Sequence, residues 1–151
     1  MKKGNLIIDT NLLLLLVIGS VEGGRHIRNS RRLNAFTEAD FQNVVNLMSL
    51  YDEVYITPYI AAEISNLVDL TGHAYERALE IAREFFKIFE KVQADIDEDC
   101  APGCFLRYGI TDTSLVRLVS DFVVLTNDNR LLVPLYETCA ENVLPYYVIK
   151  G

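Results

Sequence analysis

The chain has 151 residues and a mass of 17.1 kDa; 50% of it is hydrophobic and 23% charged, enough apolar material for one buried core. A net charge of −7 and a pI of about 4.8 argue against a protein that coats nucleic acid by bulk basicity. They do not exclude a nuclease whose active site is carboxylate-rich, because cations bridge such sites to phosphate.

No internal repeat and no Pro- or Ser-rich linker divides the sequence, so one domain over 1–151 is expected. The odd set Cys100, Cys104 and Cys139 makes no disulfide framework, and neither His26 nor His73 has zinc-ligand spacing to the C-x3-C pair. Reduced thiols in a cytoplasmic protein are expected. The opening Met1-Lys2-Lys3 with the apolar run Leu12 to Ile18 imitates a secretory leader. That run is too short to span a bilayer, and Asp9 and Asn11 interrupt the apolar stretch that begins at Leu6, so no membrane span is expected.

Leu6-Ile7-Ile8 reads as a buried strand that ends in the polar turn Asp9-Thr10-Asn11, with a helix following to Ile18. Gly19 to Ser30 reads as a loop or arm. Thr37 to Asp40 resembles a capping box before Phe41, Val44, Val45 and Met48 at helical spacing. Val54 to Thr57 is β-rich, and Pro58 suits the start of a helix with the stripe Ile60, Ile64, Leu67 and Val68. Tyr75 to Phe89 is the strongest amphipathic helix. Asp95 to Gly109 reads as irregular and acidic; Asp95, Asp97 and Asp99 imitate a calcium loop but lack its glycine and closing glutamate, so a solvated loop is expected.

Thr111 to Ser120 follows as a helix and Phe122 to Leu125 as a strand covered on both faces. Thr126-Asn127-Asp128 then turns into helical residues, with Pro134 starting or kinking a second piece. Val143 to Ile149 reads as an edge strand containing Pro145. Strands alternating with helices predict an α/β fold, a three-layer α/β/α sandwich with a mainly parallel sheet.

In such a sheet, ligands bind outside the carboxyl ends of the strands. Asp9 and Asp128 both fall at strand-to-helix turns on that edge, although N-capping alone would also account for each. Glu63 lies three residues after Ile60 and four before Leu67, flanking the buried stripe. Asp112 flanks the face of Leu115, Val116 and Val119, with a favourable charge at a helix start as the competing account. Four carboxylates converging within about 5 Å would repel by about 3 kcal/mol per pair at an effective dielectric near 20. A hard divalent cation, Mg²⁺ or Mn²⁺, is the natural remedy.

These residues resemble the PIN-domain nucleases, a family that includes the VapC-type toxins. The resemblance is carried by Ile7 to Asn11 with Leu13 and Leu14, by Ile56-Thr57-Pro58 through Ala62-Glu63-Ile64, and by Gly109 to Asp112 with Val124 to Asp128. It implies a PIN-like fold and a metal-dependent endoribonuclease with Asp9, Glu63, Asp112 and Asp128 as catalytic metal ligands. It further implies one or two ions, Thr126 as a hydroxyl that bonds a ligand carboxylate, and Thr10 and Asn11 beside the first helix N-terminus. Many members carry a further acid two places after the last aspartate; Arg130 stands there, which leaves the second ion open and suggests a phosphate contact. An antitoxin protein is a partner the resemblance allows, and a homodimer is a further assembly that exposed apolar faces would signal.

The expected chemistry is in-line attack of an activated water on an RNA phosphodiester, leaving a 5′-phosphate. Arg25, Arg28, Arg31 and Arg32 form an acid-free cluster in which the first, second and last could share a helical face; RNA binding and a solvated basic arm both fit. Of the rivals, a haloacid-dehalogenase-like phosphatase lacks its second aspartate, because Asn11 holds that place. A dinucleotide-binding domain lacks its glycine fingerprint. A catalytically degenerate PIN-like interaction module remains the non-enzyme alternative.

Overall fold

A computed structural model describes residues 4–147. Met1-Lys2-Lys3 and the final part of the strand expected over Val143 to Ile149 lie outside them. In chain order the elements are β1 (Asn5–Ile8), α1 (Thr10–Gly19), α2 (Glu38–Met48), β2 (Glu53–Ile56), α3 (Pro58–Leu67), α4 (Gly72–Ile88), β3 (Glu90–Lys91), α5 (Ile96–Asp99), α6 (Phe105–Leu118), β4 (Val123–Thr126), α7 (Asn129–Cys139) and β5 (Val143–Pro145). The five strands form one all-parallel sheet in the order β3-β2-β1-β4-β5, the central layer of an α/β/α sandwich.

Right-handed crossovers put the helices of the β1-to-β2 and β2-to-β3 connections on one face and those leading to β4 and β5 on the other. The packing sorts the same way: α1 meets α2, α3 and α4, whereas α6 meets α5 and α7. Chain direction across the sheet therefore reverses between β1 and β4. Their carboxyl ends open the crevice where parallel sheets take ligands.

The core centres on α1. Every residue from Leu12 to Gly19 is buried, because α1 lies on the sheet and is itself roofed by other helices and by the segment after it. A helix that is apolar all round is stable only where every side is covered. Full burial of each leucine contributes about 1.5–3 kcal/mol. The run that imitated a secretory leader is thus the centre of the hydrophobic core, and no helix among the described residues is long and apolar enough to cross a membrane.

Several elements differ from the sequence expectation. The stretch 95–109 contains α5 and the first turn of α6, with Gly109 at φ 77° and ψ −179° breaking α6 just before Asp112. Asp99 is fully buried, not solvated: it accepts from Tyr59 Oη at 2.6 Å and from Arg117 Nε at 2.5 Å, tying α5 to α3 and α6. Pro134 lies inside an unbroken α7. Its missing N–H frees the Arg130 carbonyl, and Tyr108 Oη donates to that carbonyl at 3.2 Å. The two-residue edge strand β3 left no apolar pattern to read, since Glu90 and Lys91 are both exposed. The capping box of Thr37 and Asp40 is present in both directions, and Asp40 also takes the Tyr146 hydroxyl at 2.6 Å.

At the end of α1, Gly19 meets the ring of Phe41 on α2, where an added Cβ would stand 2.3 Å from Phe41 Cδ2. Helix propensity favours alanine over glycine by about 1 kcal/mol, while overpacking costs about 1–3 kcal/mol. Gly19→Ala is expected to lower the melting temperature, and adding Phe41→Leu to recover most of the loss. A thermal melt of the single and double variants checks both.

Candidate functional site

Strands β1 and β4 end in step, with Ile8 opposite Leu125 and the Asp9 amide donating to the Leu125 carbonyl at 2.9 Å. This register sets Asp9 beside Thr126. The Thr126 hydroxyl donates to Asp9 Oδ2 at 2.6 Å, while Asp9 Oδ1 accepts from the Thr10 amide at 2.7 Å. Asp9 is therefore the N-cap of α1 and a wall of the crevice at once; a carboxylate has enough lone pairs for both. Asp128 repeats the arrangement at β4. Its Oδ1 caps α7 by accepting from the Arg130 amide at 3.0 Å and from the Leu131 amide at 3.4 Å.

Glu63 reaches the same place from α3. Thr57 and Pro58 start that helix, with the Thr57 side chain capping the Ile60 amide, and one turn later Glu63 stands at the crevice. The Thr10 hydroxyl donates to Glu63 Oε1 at 2.8 Å, fastening α3 to the start of α1. Asp112 comes from the opposite layer, in the first turn after the Gly109 break. The positive φ at Gly109 is one that only glycine adopts without strain.

These side chains line a single cleft of about 430 Å³ formed by Asp9, Thr10, Asn11, Arg32, Glu63, Asn66, Leu67, Asp112 and Asp128. The four carboxylates come from four separate elements. Asp112 is half-buried and accepts no hydrogen bond or ion pair within the described residues. Burial first, then the charges of Asp9, Asp128 and Glu63, push its carboxyl up to about 7, against a partial opposing pull from Arg130. Asp9 is also raised, chiefly by burial, although its bonds from Thr126 and Thr10 work the other way. The four acids are thus within electrostatic reach of one another. Among the described residues, however, no three Asp, Glu, His or Cys side chains close on a common point as a finished metal cage. Mutual repulsion opposes any closer approach.

The donor set is nonetheless all carboxylate oxygen, which suits hard cations, and the three free cysteines lie outside the cleft. In the turn between Thr126 and Asp128, Asn127 Oδ1 is buried with no hydrogen-bond partner among the described residues. Leaving such an atom unsatisfied costs about 1–3 kcal/mol.

The arginines separate. The segment over 21–36 contains two single 3-10 turns, Glu22–Gly24 and Ile27–Asn29, joined by turns and bends, so the helical face that Arg25, Arg28 and Arg32 could have shared is not formed. Arg25 pairs with Glu22 at 3.3 Å; Arg28 and Arg31 are exposed and do not line the cleft, whereas Arg32 does. Arg130 stands at the rim, 3.8 Å from Asp128 and over the Tyr108 ring. Two residues escaped the sequence reading. Asn66 could have been found, since it follows Glu63 by three and shares its face. Asp69 could not, because its partners Ser30 and Arg31 are nearly forty residues away. No family model matches this sequence, and no curated protein matches it.

The raised Asp112 carboxyl has a definite sign in stability. Its folded value lies above its unfolded one, so its contribution is fully present below pH 4 and is lost as pH rises towards 7. In chelator, Asp112→Asn should therefore melt a few degrees above wild type at pH 7, with the gap closing by pH 4; about 1 kcal/mol moves Tm by about 2–4 °C at this size. Melting curves across that range check the direction.

Proposed function

We propose that this cleft is the active site of a metal-dependent endoribonuclease. The observation that carries the reading is the meeting of four carboxylates from β1, α3, α6 and β4 at the sheet's reversal point, with the Asp112 carboxyl pushed up to about 7 among them. A group so placed takes either a proton or a cation, and perturbed acids clustered in a cleft point to function. Asp9, Glu63, Asp112 and Asp128 would hold Mg²⁺ or Mn²⁺, one ion or two, which when bound activates water and stabilises the leaving 3′-oxygen.

The protein's own contribution is orientation. Thr126 holds the Asp9 carboxylate through Oδ2, and Thr10 holds that of Glu63. Asn11 lines the cleft at the exposed start of α1, where the helix dipole favours an anion. In the hydrolysis, water oxygen bonds to phosphorus, the 3′-oxygen departs and takes up a proton, and a 5′-phosphate remains. RNA as substrate fits the resemblance to PIN-domain nucleases. A toxin role with an antitoxin partner, and a homodimer, would extend that resemblance. The reading places the protein in the cytoplasm, where thiols stay reduced.

Wild-type protein is expected to cleave single-stranded RNA with Mn²⁺ or Mg²⁺ and to stop in chelator. Because even outer partners of metal ligands are worth about 10–100-fold, Asp9→Asn should lose at least about 100-fold in rate while keeping its fold. Saturating Mn²⁺ should also raise wild-type Tm, by about 2.7 kcal/mol of stabilisation at 100 times Kd. Intact RNA together with a metal-insensitive Tm would instead favour a non-catalytic interaction module.

A further inference from the structure

Among the cations near the cleft, Arg130 is already engaged by Asp128 and by the Tyr108 ring. Arg32 is different. It lines the acidic cleft, yet its guanidinium makes no ion pair or hydrogen bond within the described residues. A guanidinium without a partner at the edge of an acidic cleft is available to an anion that the carboxylates alone would repel.

Its backbone is not free. The Asp69 carboxylate, just past the end of α3, accepts from the Ser30 hydroxyl at 2.7 Å, from the Arg31 amide at 2.9 Å and from the Arg32 amide at 3.4 Å. These donors hold its pKa below the usual carboxylate range, although partial burial opposes them, so it stays charged. The buried side chains of Ile27, Ser30, Leu33 and Phe36 anchor the same segment from below. Asp69 therefore ties the arm to the helix that carries Glu63, Asn66 and Leu67, and it presents Arg32 at the mouth of the cleft.

We infer that Arg32 binds a backbone phosphate of the RNA strand entering the cleft, and that Asp69 is a positioning residue acting through it. The inference rests on the nuclease reading above and adds to it the strand's point of entry. It also divides the basic arm. Arg25, Arg28 and Arg31, which do not line the cleft, contribute little, and Arg32 carries the specific contact. A phosphate here would pair with the guanidinium at the mouth and stand off from the carboxylates, while the bases stay unread, as backbone contacts imply.

The test uses the full chain and a fluorescein-labelled single-stranded RNA. Cleavage is followed in Mn²⁺, and binding is followed with Ca²⁺ in its place. Arg32→Gln, an exposed change, should raise KM about tenfold with kcat within about threefold of wild type, and should leave the Mn²⁺-induced rise in Tm unchanged. Its binding should show a shallower dependence on log salt, by about 0.7 for one lost single-strand phosphate contact. Asp69→Asn and Asp69→Ala should reproduce the KM effect in wild type but add nothing in the Arg32→Gln background, with melting curves confirming that each variant folds. Wild-type KM and salt slope in Arg32→Gln, with cleavage intact, overturn the inference and leave the nuclease reading standing. An additive loss from Asp69 substitution overturns its positioning role. Wild-type protein that neither binds nor cuts the RNA overturns both readings.

Discussion

The parallel pairing of β1 with β4 is the constraint on which the rest depends. Because the two strands end in step, Asp9 and Thr126 are neighbours across the ladder, and a 2.6 Å hydrogen bond joins them. That bond holds one Asp9 oxygen, and the capping bond from the Thr10 amide holds the other. Slipping the register by one residue would send each side chain to the opposite face of the sheet.

Around this anchor the structure concentrates negative charge that it does little to neutralise. Asp9 and Asp112 both resist ionisation, for burial and for their neighbours' charge. An interior selected for stability alone would place apolar or paired groups there. Stability comes instead from the seamless core under α1 and from braces away from the cleft, such as buried Asp99 with Tyr59 and Arg117. Local cost at a crevice, offset elsewhere, is the usual physical signature of a functional site.

The two layers flanking the sheet reach the cleft by different devices. On one side, Thr10 binds Glu63 and Asp69 binds the arm, so hydrogen bonds tie α1, α3 and the arm together. On the other, the Gly109 break turns Asp112 inward, and the Tyr108 hydroxyl occupies the carbonyl that Pro134 leaves without its helical donor. Tyr108 thereby joins the start of α6 to α7, next to Asp128. Each wall of the cleft is cross-linked by polar contacts between residues far apart in sequence.

Much of this was legible from residue patterns. The apolar runs of β1 and β4, the Thr37 capping box and the Thr57-Pro58 helix start follow from local physics, because period, capping and proline geometry act within a few residues. So does the placing of Asp9 and Asp128 at strand-to-helix turns, and the helix phase that turns Glu63 and Asp112 towards the buried face. Local patterns failed where the deciding partner was distant. Asp99 looked solvated because Tyr59 and Arg117 lie far off in the chain; β3 was invisible because backbone pairing with β2, not side-chain pattern, makes it a strand. The arginine cluster left a shared face open because nothing nearby announced that Ile27, Leu33 and Phe36 bury under an arm of short turns. The sequence by itself determined the sheet's character and the two acids at its strand ends, since those depend on short-range patterns, whereas Glu63 and Asp112 rested on helix phase together with the family resemblance. Only the tertiary structure decided that the acids share one cleft, that Arg32 alone of its cluster joins them, and that Asp69 holds it there, because those are contacts between segments that only folding brings together.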